Sequence, residues 1–334
     1  MKVGGKNPNN LKKLLDKCRC PRCGSERLVP AMRKVICGEC KMEYEAGENW
    51  IDWVGIRPEG LIAQTALEIW GKRLHSKTPM EAKHELHFPQ FGKVFGADFE
   101  FPKHCEVLEM GCGAGGDAIA LAQGRPDLEI WGCDLGENIP YLAERARDQH
   151  NVKFFRADCR KMPVRDGSFE RIASFGVFHH TSDPAACVRE LNRILAKNGK
   201  AFVYLYKNHE DNRWKQAGVR VERVLMKILA GLPLLLARLV CLLMTLPCLL
   251  LFSWPAQLFK KFPFTRCMGN SMPLHWGTTP GSIRGDLEDR LLAPVNHRFS
   301  RKAFEGLFRS AGLKNLRVET TPFGHYALVT KETY

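Results

Sequence analysis

The chain has 334 residues, of which 45% are apolar and 26% are charged, and these values exclude a fibrous or disordered chain and indicate a globular one. Its formal net charge is +14, but residues 1–41 contribute +8 and residues 207–266 contribute +7, so the rest sums to −1. Such basic segments favour anionic partners, either nucleic acid or a lipid surface, although a solvated charged surface is the commoner case.

The N-terminal segment, residues 1–56, is predicted to hold a basic tail and a zinc-binding module. Two Cys-x-x-Cys pairs, Cys20 with Cys23 and Cys37 with Cys40, are separated by thirteen residues. Four thiolates at this spacing complete a closed tetrahedral site, so the predicted Zn²⁺ is structural rather than catalytic. Free thiols remain the alternative, and Cys18 is either a spare thiol or another ligand.

Residues 18–54 also resemble a small zinc-ribbon domain that activates certain tRNA and protein methyltransferases as a separate subunit. The sequence departs from that pattern where Asn49-Trp50 replaces the usual Ile-Pro. The remaining cysteines do not form a secreted disulfide framework and the chain opens with no signal peptide, so we predict a cytoplasmic location.

Residues 57–103 are predicted to form capping helices. Apolar residues recur at helical spacing over 61–75, and a weaker helix is predicted within 80–95. These helices either cover the mouth of a pocket or simply pack on a sheet.

Residues 104–206 alternate between apolar runs and helical segments. Strands are predicted at 105–110, 128–133, 152–156, 170–175 and 200–206, and helices at 116–123, 138–149 and 184–196. This alternation predicts an α/β fold with a doubly wound, mostly parallel sheet, whose ligands bind at the carboxyl ends of the strands.

Chemistry-bearing residues occupy those strand ends. Three glycines follow the first strand, where a backbone with positive φ can approach a ligand closely. The second strand ends on Asp134 and the third on Asp158. A carboxylate at the end of the second strand can accept hydrogen bonds from ribose hydroxyls.

Taken together, these motifs resemble class I S-adenosylmethionine-dependent methyltransferases. The matching residues are the E-x-G-x-G-x-G run at 109–115, Asp134, Ala157-Asp158, G-V-F-H-H-x-x-D-P at 176–184 and R-I-L-x-x-x-G at 193–199. A dinucleotide-dependent dehydrogenase is the alternative for the first motif alone, but it leaves the third-strand acid and the His-His pair unexplained.

The resemblance implies a seven-stranded Rossmann-like sheet and S-adenosyl-L-methionine as the cofactor. It implies cofactor-binding roles for the residues of four strand ends: Glu109, Gly111, Gly113, Gly115, Asp134, Leu135, Asp158, Cys159, Phe175 and Gly176. His179 and His180 are the candidate general bases, and the alternative is that they only close the pocket. No Asn/Asp-Pro-Pro-Tyr run follows the fourth strand, which speaks against methylation of an exocyclic amine.

Residues 207–283 are predicted to form a hydrophobic helical insertion or lid. No charge occurs from Leu239 to Phe259, a length that could span a bilayer. The chain must return to the same sheet, so the insertion crosses a membrane an even number of times or not at all. Prolines at 233, 247 and 255 are expected to break it into short helices.

With its basic flanks, the stretch 224–259 is therefore predicted to lie in a membrane surface or re-enter it. A buried lid or a dimer interface is the alternative. A membrane-docked lid near the active-site crevice points to a lipophilic substrate.

The last segment, residues 284–334, is predicted to add a helix at 301–311 and strands at 313–320 and 324–330 that complete the sheet. Three side chains of this segment, His297, His325 and Tyr326, could reach the pocket, and so could His275 just before it.

The predicted function is methyl transfer to a lipophilic or lipid-linked small molecule by a peripheral or monotopic enzyme at the inner face of the membrane. The alternative is an RNA methyltransferase that binds rRNA or tRNA through the basic zinc ribbon. A cofactor-binding scaffold without activity is a third interpretation.

Overall fold

The computed structural model describes residues 8–54, 86–274, 277–293 and 295–332. The chain divides into two compact units, Met1–Tyr206 together with Arg301–Tyr334, and Lys207–Ser300. The predicted helix at 61–75 and His275 lie outside the described residues.

The N-terminal part of the first unit is a small ribbon. Helix α1 (Pro8–Leu15) precedes three antiparallel strands, β1 (Leu28–Ala31), β2 (Lys34–Cys37) and β3 (Glu43–Glu45). A fourth strand, β4 (Trp50–Asp52), leaves the ribbon and pairs in parallel with residues Val152–Arg156 of the central sheet. The ribbon is therefore hydrogen-bonded to the main fold through its last strand.

The core of the first unit follows the predicted alternation of strands and helices. Its elements in chain order are α2 (Phe88–Phe95), β5 (Glu106–Met110), α3 (Gly116–Gly124), β6 (Glu129–Asp134), α4 (Ile139–Arg145), β7 (Val152–Arg156), β8 (Phe169–Phe175), α5 (Pro184–Ile194) and β9 (Leu195–Tyr206). Strand β9 starts five residues earlier than predicted and shifts its register against β8 between Phe169 and Arg171.

The second unit is helical in its described part. It holds α6 (Arg213–Ala230), α7 (Leu234–Cys248), a π-helical turn (Leu249–Ser253), α8 (Trp254–Lys260), α9 (Arg266–Ser271) and α10 (Pro280–Leu292). The prolines break it only in part as expected, because the chain leaves the helical path at Pro233 but not at Pro247 or Pro255. Pro233 precedes α7, Pro255 occupies the first turn of α8, and the helical path continues past Pro247 with the π-helical turn just after it, a known way to accommodate a local defect.

The chain then returns to the first unit with α11 (Arg301–Ser310), β10 (Asn315–Thr320) and β11 (Gly324–Thr330). The strand order in the central sheet is β10-β11-β9-β8-β5-β6-β7-β4, and only β10/β11 and β11/β9 pair antiparallel. The doubly wound, mostly parallel fold is thus confirmed, but among the described residues the sheet has eight strands rather than seven, because β4 of the ribbon adds to its edge.

Both faces of this sheet are covered. On one face α3 and α4 pack over β5, β6 and β7 with a core that includes Val107, Ile130, Leu142 and Phe154. On the same face α2 contributes an aromatic layer that packs on β8, β9 and β11. The opposite face is covered by α5 and by α11, whose Phe304 packs on His325 of β11. The order of connections reverses between β5 and β8, so a crevice is expected at the carboxyl ends of these two strands.

Candidate active site

The loop after β5 passes through three glycines with positive φ, +82° at Gly111, +52° at Gly113 and +71° at Gly115. A Cβ at Gly111 would lie 2.3 Å from Cγ2 of Val177, so only glycine lets this loop approach the end of β8. A Cβ at Gly113 would meet nothing within 4 Å. The loop therefore has an open side on which a ligand can lie against the backbone.

Asp134 at the end of β6 faces that loop. One of its carboxylate oxygens accepts the N–H of Gly113 at 2.8 Å, and the other accepts the N–H of Gly136 at 2.8 Å. Each oxygen keeps a further lone pair, so the carboxylate can also accept hydrogen bonds from two hydroxyl groups. Leu135, the next residue, offers its carbonyl oxygen to Nε of Arg156 at 3.0 Å.

Glu109 in β5 is a buried acid with an unused oxygen. Its side chain receives a hydrogen bond from the backbone of Ala118, while Oε2 has no hydrogen-bond partner among the described residues. Burial, followed by the charges of Asp117 and Asp134, raises the pKa of Glu109 well above its usual range. A cationic group arriving at this oxygen would relieve that unfavourable burial.

The acid at the end of β7 already has a partner within the protein. Both carboxylate oxygens of Asp158 lie 3.0 Å from Nε of Arg160, whose guanidinium also contacts Ser182. A hydrogen bond to Cys133 and burial raise the pKa of the neighbouring Cys159 thiol. This small side chain is therefore uncharged where it lines the site.

Aromatic rings line the end of β8. Phe175 lies between two of them, with its centroid 4.5 Å from the ring of His87 and 4.3 Å from the ring of Tyr204, both in stacked geometry. Gly176 follows with a φ of +74° and donates its N–H to the carbonyl of Tyr204. The fourth strand end thus presents a flat aromatic surface next to the glycine loop.

His179 and His180, the predicted bases, form a short turn after β8. The ring of His179 is completely buried and lies 4.0 Å from the ring of Tyr206 and 4.1 Å from that of His180. Its Cε1 would lie 3.9 Å from a Cβ at Gly176, so the pair belongs to the same strand end. His180 is half-buried. Their catalytic role stays a prediction.

The other candidate side chains diverge. Tyr326 joins the aromatic layer, 4.6 Å from the ring of Tyr204. His325 is buried against Phe304 of α11 and bonded to Thr320, and His297 belongs to the second unit.

Sequence reasoning missed His87 and Asp117. Asp117 is 4% exposed in its side chain and accepts the backbone N–H groups of His87 and Phe88, which ties the start of α2 to the first turn of α3. The His-Phe-Pro sequence at a helix start was the available signal, but nothing in it indicates that a residue thirty positions later provides the cap.

The ribbon cysteines form the predicted cluster. The four Sγ atoms of Cys20, Cys23, Cys37 and Cys40 lie within 4.8 Å of one another. Gly24 and Lys41 take positive φ just after the two pairs, as tight turns around a metal require. Cys18 lies outside the cluster, fully buried, with its backbone paired to Val164.

These two sites fit the groups that the sequence implies. The open side of Gly113, the unused Oε2 of Glu109 and the spare lone pairs of Asp134 suit the sulfonium, ammonium and ribose groups of S-adenosylmethionine. The closed set of four sulfur ligands suits a structural Zn²⁺.

Comparisons with known proteins agree with this assignment. Residues 108–203 match the methyltransferase domain family. The chain is 31% identical over 122 residues to the tRNA (carboxymethyluridine(34)-5-O)-methyltransferase alkbh8 of Xenopus tropicalis, covering 36% of this chain and 18% of that protein. It is 26% identical over 121 residues to the demethylmenaquinone methyltransferase of Thermus thermophilus, covering 33% and 55%.

The chain thus spans about a fifth to just over half of the length of these relatives. Among solved structures, a SAM-dependent methyltransferase from Aquifex aeolicus is similar with a TM-score of 0.43 and 15% identity, over 79% of this chain and 96% of that one. The family match and the strand-end residues together identify residues 108–203 as a methyltransferase domain of the class I S-adenosylmethionine-dependent type.

Proposed function

We propose that this protein transfers a methyl group from S-adenosylmethionine to a lipophilic or lipid-linked small molecule while it is docked on a membrane surface. The observation that carries the proposal is the exposed apolar side of the helix from Leu234 to Lys260. Among the described residues it is the one helix whose length and composition would let it cross a membrane, and only 28% of its most apolar stretch is buried.

The helix has two distinct sides. Mostly small residues are buried along one of them, and α7 packs against α10. The buried positions are Ala237, Cys241, Thr245, Cys248, Leu249, Ser253 and Ala256. Large apolar residues are exposed on the other, including Leu235 (80%), Leu243 (67%) and Leu251 (64%). An exposed apolar surface of this kind marks an interaction site in a soluble protein.

The charges on α10 favour a helix that lies in the membrane plane over one that spans it. Arg284 pairs with Glu288 at 2.8 Å and Arg290 pairs with Asp286 at 3.0 Å, on a helix packed along α7. A spanning α7 would carry these groups into hydrocarbon, at about 2.5–3.5 kcal/mol for each charged side chain. Docked flat, the helix buries its leucines at the headgroup boundary and keeps α10 in water.

The basic residues of α6 favour an anionic lipid surface over a neutral apolar partner as the binding partner. Arg220, Arg223 and Lys227 of α6 are exposed and have no acidic partner among the residues that the structure describes. Basic residues near an anionic membrane surface contribute about 1 kcal/mol each.

The chemistry follows from the strand ends. S-adenosylmethionine supplies an electrophilic methyl group on its sulfonium. Glu109 and Asp134 would hold the cofactor's ammonium and ribose, and the aromatic surface around Phe175 keeps water from the reacting side. Alignment and desolvation of the acceptor then supply much of the rate.

Sedimentation with vesicles of mixed anionic and zwitterionic phospholipid tests the membrane part of the proposal. Replacing Leu235, Leu243 and Leu251 together by Gln removes about 1 kcal/mol of apolar burial at each site and should weaken vesicle binding about 100-fold. Replacing three exposed apolar residues of the ribbon, Val29, Met32 and Met42, by Gln is the matched control and should leave vesicle binding intact.

Two results would contradict the proposal. If the wild type stays in the supernatant and elutes as a dimer that the leucine variant dissociates, the apolar side is a dimer interface. If the wild type binds vesicles but no component of a membrane lipid extract gains label from radiolabelled methyl donor, a lipophilic acceptor is excluded.

The RNA alternative has an observation of its own, because the ribbon carries exposed basic residues such as Lys12, Lys13 and Arg33. Several other basic residues of that region are paired with acids, among them Lys34 with Glu43 at 2.6 Å. RNA binding that falls steeply with salt and disappears in ribbon variants would favour this alternative.

A further inference from the structure

A histidine and a buried carboxylate are joined at the edge of the candidate active site. Nδ1 of His87 lies 3.0 Å from Oδ2 of Asp117. Because a carboxylate only accepts hydrogen bonds, the ring nitrogen is the donor, and the neutral imidazole then carries its lone pair on Nε2. The His87 side chain is 50% exposed, whereas that of Asp117 is 4% exposed.

The cap of α2 does not explain this ring contact. Asp117 already accepts the backbone N–H of His87 at 2.9 Å and that of Phe88 at 2.8 Å. Those two hydrogen bonds fix the start of the helix whatever side chain residue 87 carries. The third, to the imidazole, orients a ring and selects its tautomer.

The ring is held at the correct strand end. It stacks on Phe175, the last residue of β8, at 4.5 Å between centroids. Asp117 lies in the first turn of α3, directly after the glycine loop, and close enough to Glu109 to raise the pKa of that acid. His87 therefore lies beside Phe175 and, through Asp117, close to Glu109, two residues with predicted cofactor-binding roles.

We propose that His87, oriented by Asp117, is the base that accepts the proton of the methyl acceptor, a hydroxyl or amine group. This inference rests on the methyltransferase function proposed above. The lone pair of the acceptor atom forms a bond to the methyl carbon, the carbon–sulfur bond breaks, and its electron pair stays on the sulfur. The acceptor's proton passes to Nε2 of His87, and the resulting imidazolium is stabilised by the Asp117 carboxylate and later returns the proton to water.

Access distinguishes His87 from the histidines that the sequence suggested. His179 is completely buried among rings, and His180 beside it is less exposed than His87. A base must reach the acceptor's proton at hydrogen-bond distance, and a half-exposed ring with a fixed tautomer can do so.

The first test is independent of turnover. Long-range ¹H–¹⁵N NMR of the protein with S-adenosylhomocysteine bound, with the His87 signal assigned by its loss in His87→Gln, reports which ring nitrogen carries the proton. We expect the Nδ1-protonated tautomer, and we expect it to become mixed in Asp117→Asn. An Nε2-protonated ring in the wild type would overturn the proposal even if the enzyme proves active.

The second test uses transfer of radiolabelled methyl groups to a membrane lipid extract. His87→Gln should lower the rate at least about 100-fold, because a general base contributes 10²- to 10⁴-fold, while the affinity for S-adenosylhomocysteine is retained. His150→Gln, at another exposed histidine, is the matched control.

The outcomes separate this inference from the function on which it rests. If the wild type methylates the extract and His87→Gln does so at a rate within about threefold at every pH, the function stands and the base is another residue. If the extract gains no label, the proposed acceptor class fails, and the tautomer measurement still decides whether His87 and Asp117 form the oriented pair.

Discussion

Glu109 is a candidate cofactor-binding residue whose buried carboxylate lowers the stability of the folded protein. Burial and the charges of Asp117 and Asp134 raise its pKa, so its contribution to stability is present at acid pH, where it is protonated in both states, and is lost as the pH rises through the raised value. At neutral pH the folded protein thus either holds an unfavourable buried charge or binds a proton. The arrangement suits a ligand that brings a positive charge.

Replacing Glu109 by Gln should therefore move stability and binding in opposite directions. We expect the free energy of unfolding at pH 8 to rise by about 1 kcal/mol, with the difference shrinking as the pH is lowered towards 5, in urea titrations. We expect the affinity for S-adenosylhomocysteine, measured by calorimetry, to fall about 10- to 100-fold through loss of a charge-assisted hydrogen bond. A variant that is less stable at pH 8 and binds as the wild type does would refute this account.

At the residue scale, the sequence predicts what adjacent positions encode. The glycines at 111, 113 and 115 and the acid Asp134 follow directly from strand, turn and helix periodicity, and they meet as expected. The bond between His87 and Asp117, thirty positions apart, depends on how α2 packs over the sheet. No local pattern indicates it.

At the element scale, β4 connects the ribbon with the sheet. Its pairing with β7 places Asp52 2.9 Å from Nη1 of Arg156, and Nε of the same arginine donates a hydrogen bond to the carbonyl of Leu135, the residue after Asp134. The sequence does not indicate which sheet this strand joins, because three residues do not specify a partner strand.

If the four ribbon cysteines hold Zn²⁺ as predicted, removing the metal should therefore loosen the edge of the central sheet. With a chelator, or with Cys37→Ser, we expect a loss of several kcal/mol of stability, because a structural zinc site supplies folding free energy. Hydrogen exchange should accelerate at the amides of Trp53 and Phe154, which bond across β4 and β7. It should stay unchanged at Gly176, which follows β8, bonds to Tyr204 and lies several strands away from β4 in the sheet order. Cys267→Ser, at an exposed cysteine, is the control.

Unchanged protection of Trp53 and Phe154 after complete metal removal would show that β4 holds its place without the ribbon.

The apolar helix continues through Pro247. Proline rules predicted a break, but a π-helical turn keeps the path helical, and this produces one long apolar side instead of several short ones.

At the scale of the whole molecule, the excess positive charge is divided between two segments with different surroundings. Basic residues in the ribbon region are in part paired with acids, as with Arg19 and Asp166 at 3.4 Å. Those of α6 belong to the unit that also exposes the leucine side. Charge and apolar surface in one unit are the combination that an anionic lipid surface attracts.

This division predicts that two charge-removal variants separate the membrane from the RNA hypothesis. Arg220, Arg223 and Lys227 replaced by Gln should weaken binding to anionic vesicles about 100-fold, at about 1 kcal/mol for each charge. Binding to purely zwitterionic vesicles, which depends on the leucines, should change little. Lys12, Lys13 and Arg33 replaced by Gln remove the same charge from the ribbon region and should leave both kinds of vesicle binding unchanged.

Because exposed charges are screened over about 8–10 Å at physiological salt, the difference between the variants in vesicle binding should shrink as salt is raised. If instead the ribbon variant loses a salt-sensitive affinity for RNA while the α6 variant binds vesicles as the wild type does, the basic charge serves nucleic acid and the proposed membrane function is wrong.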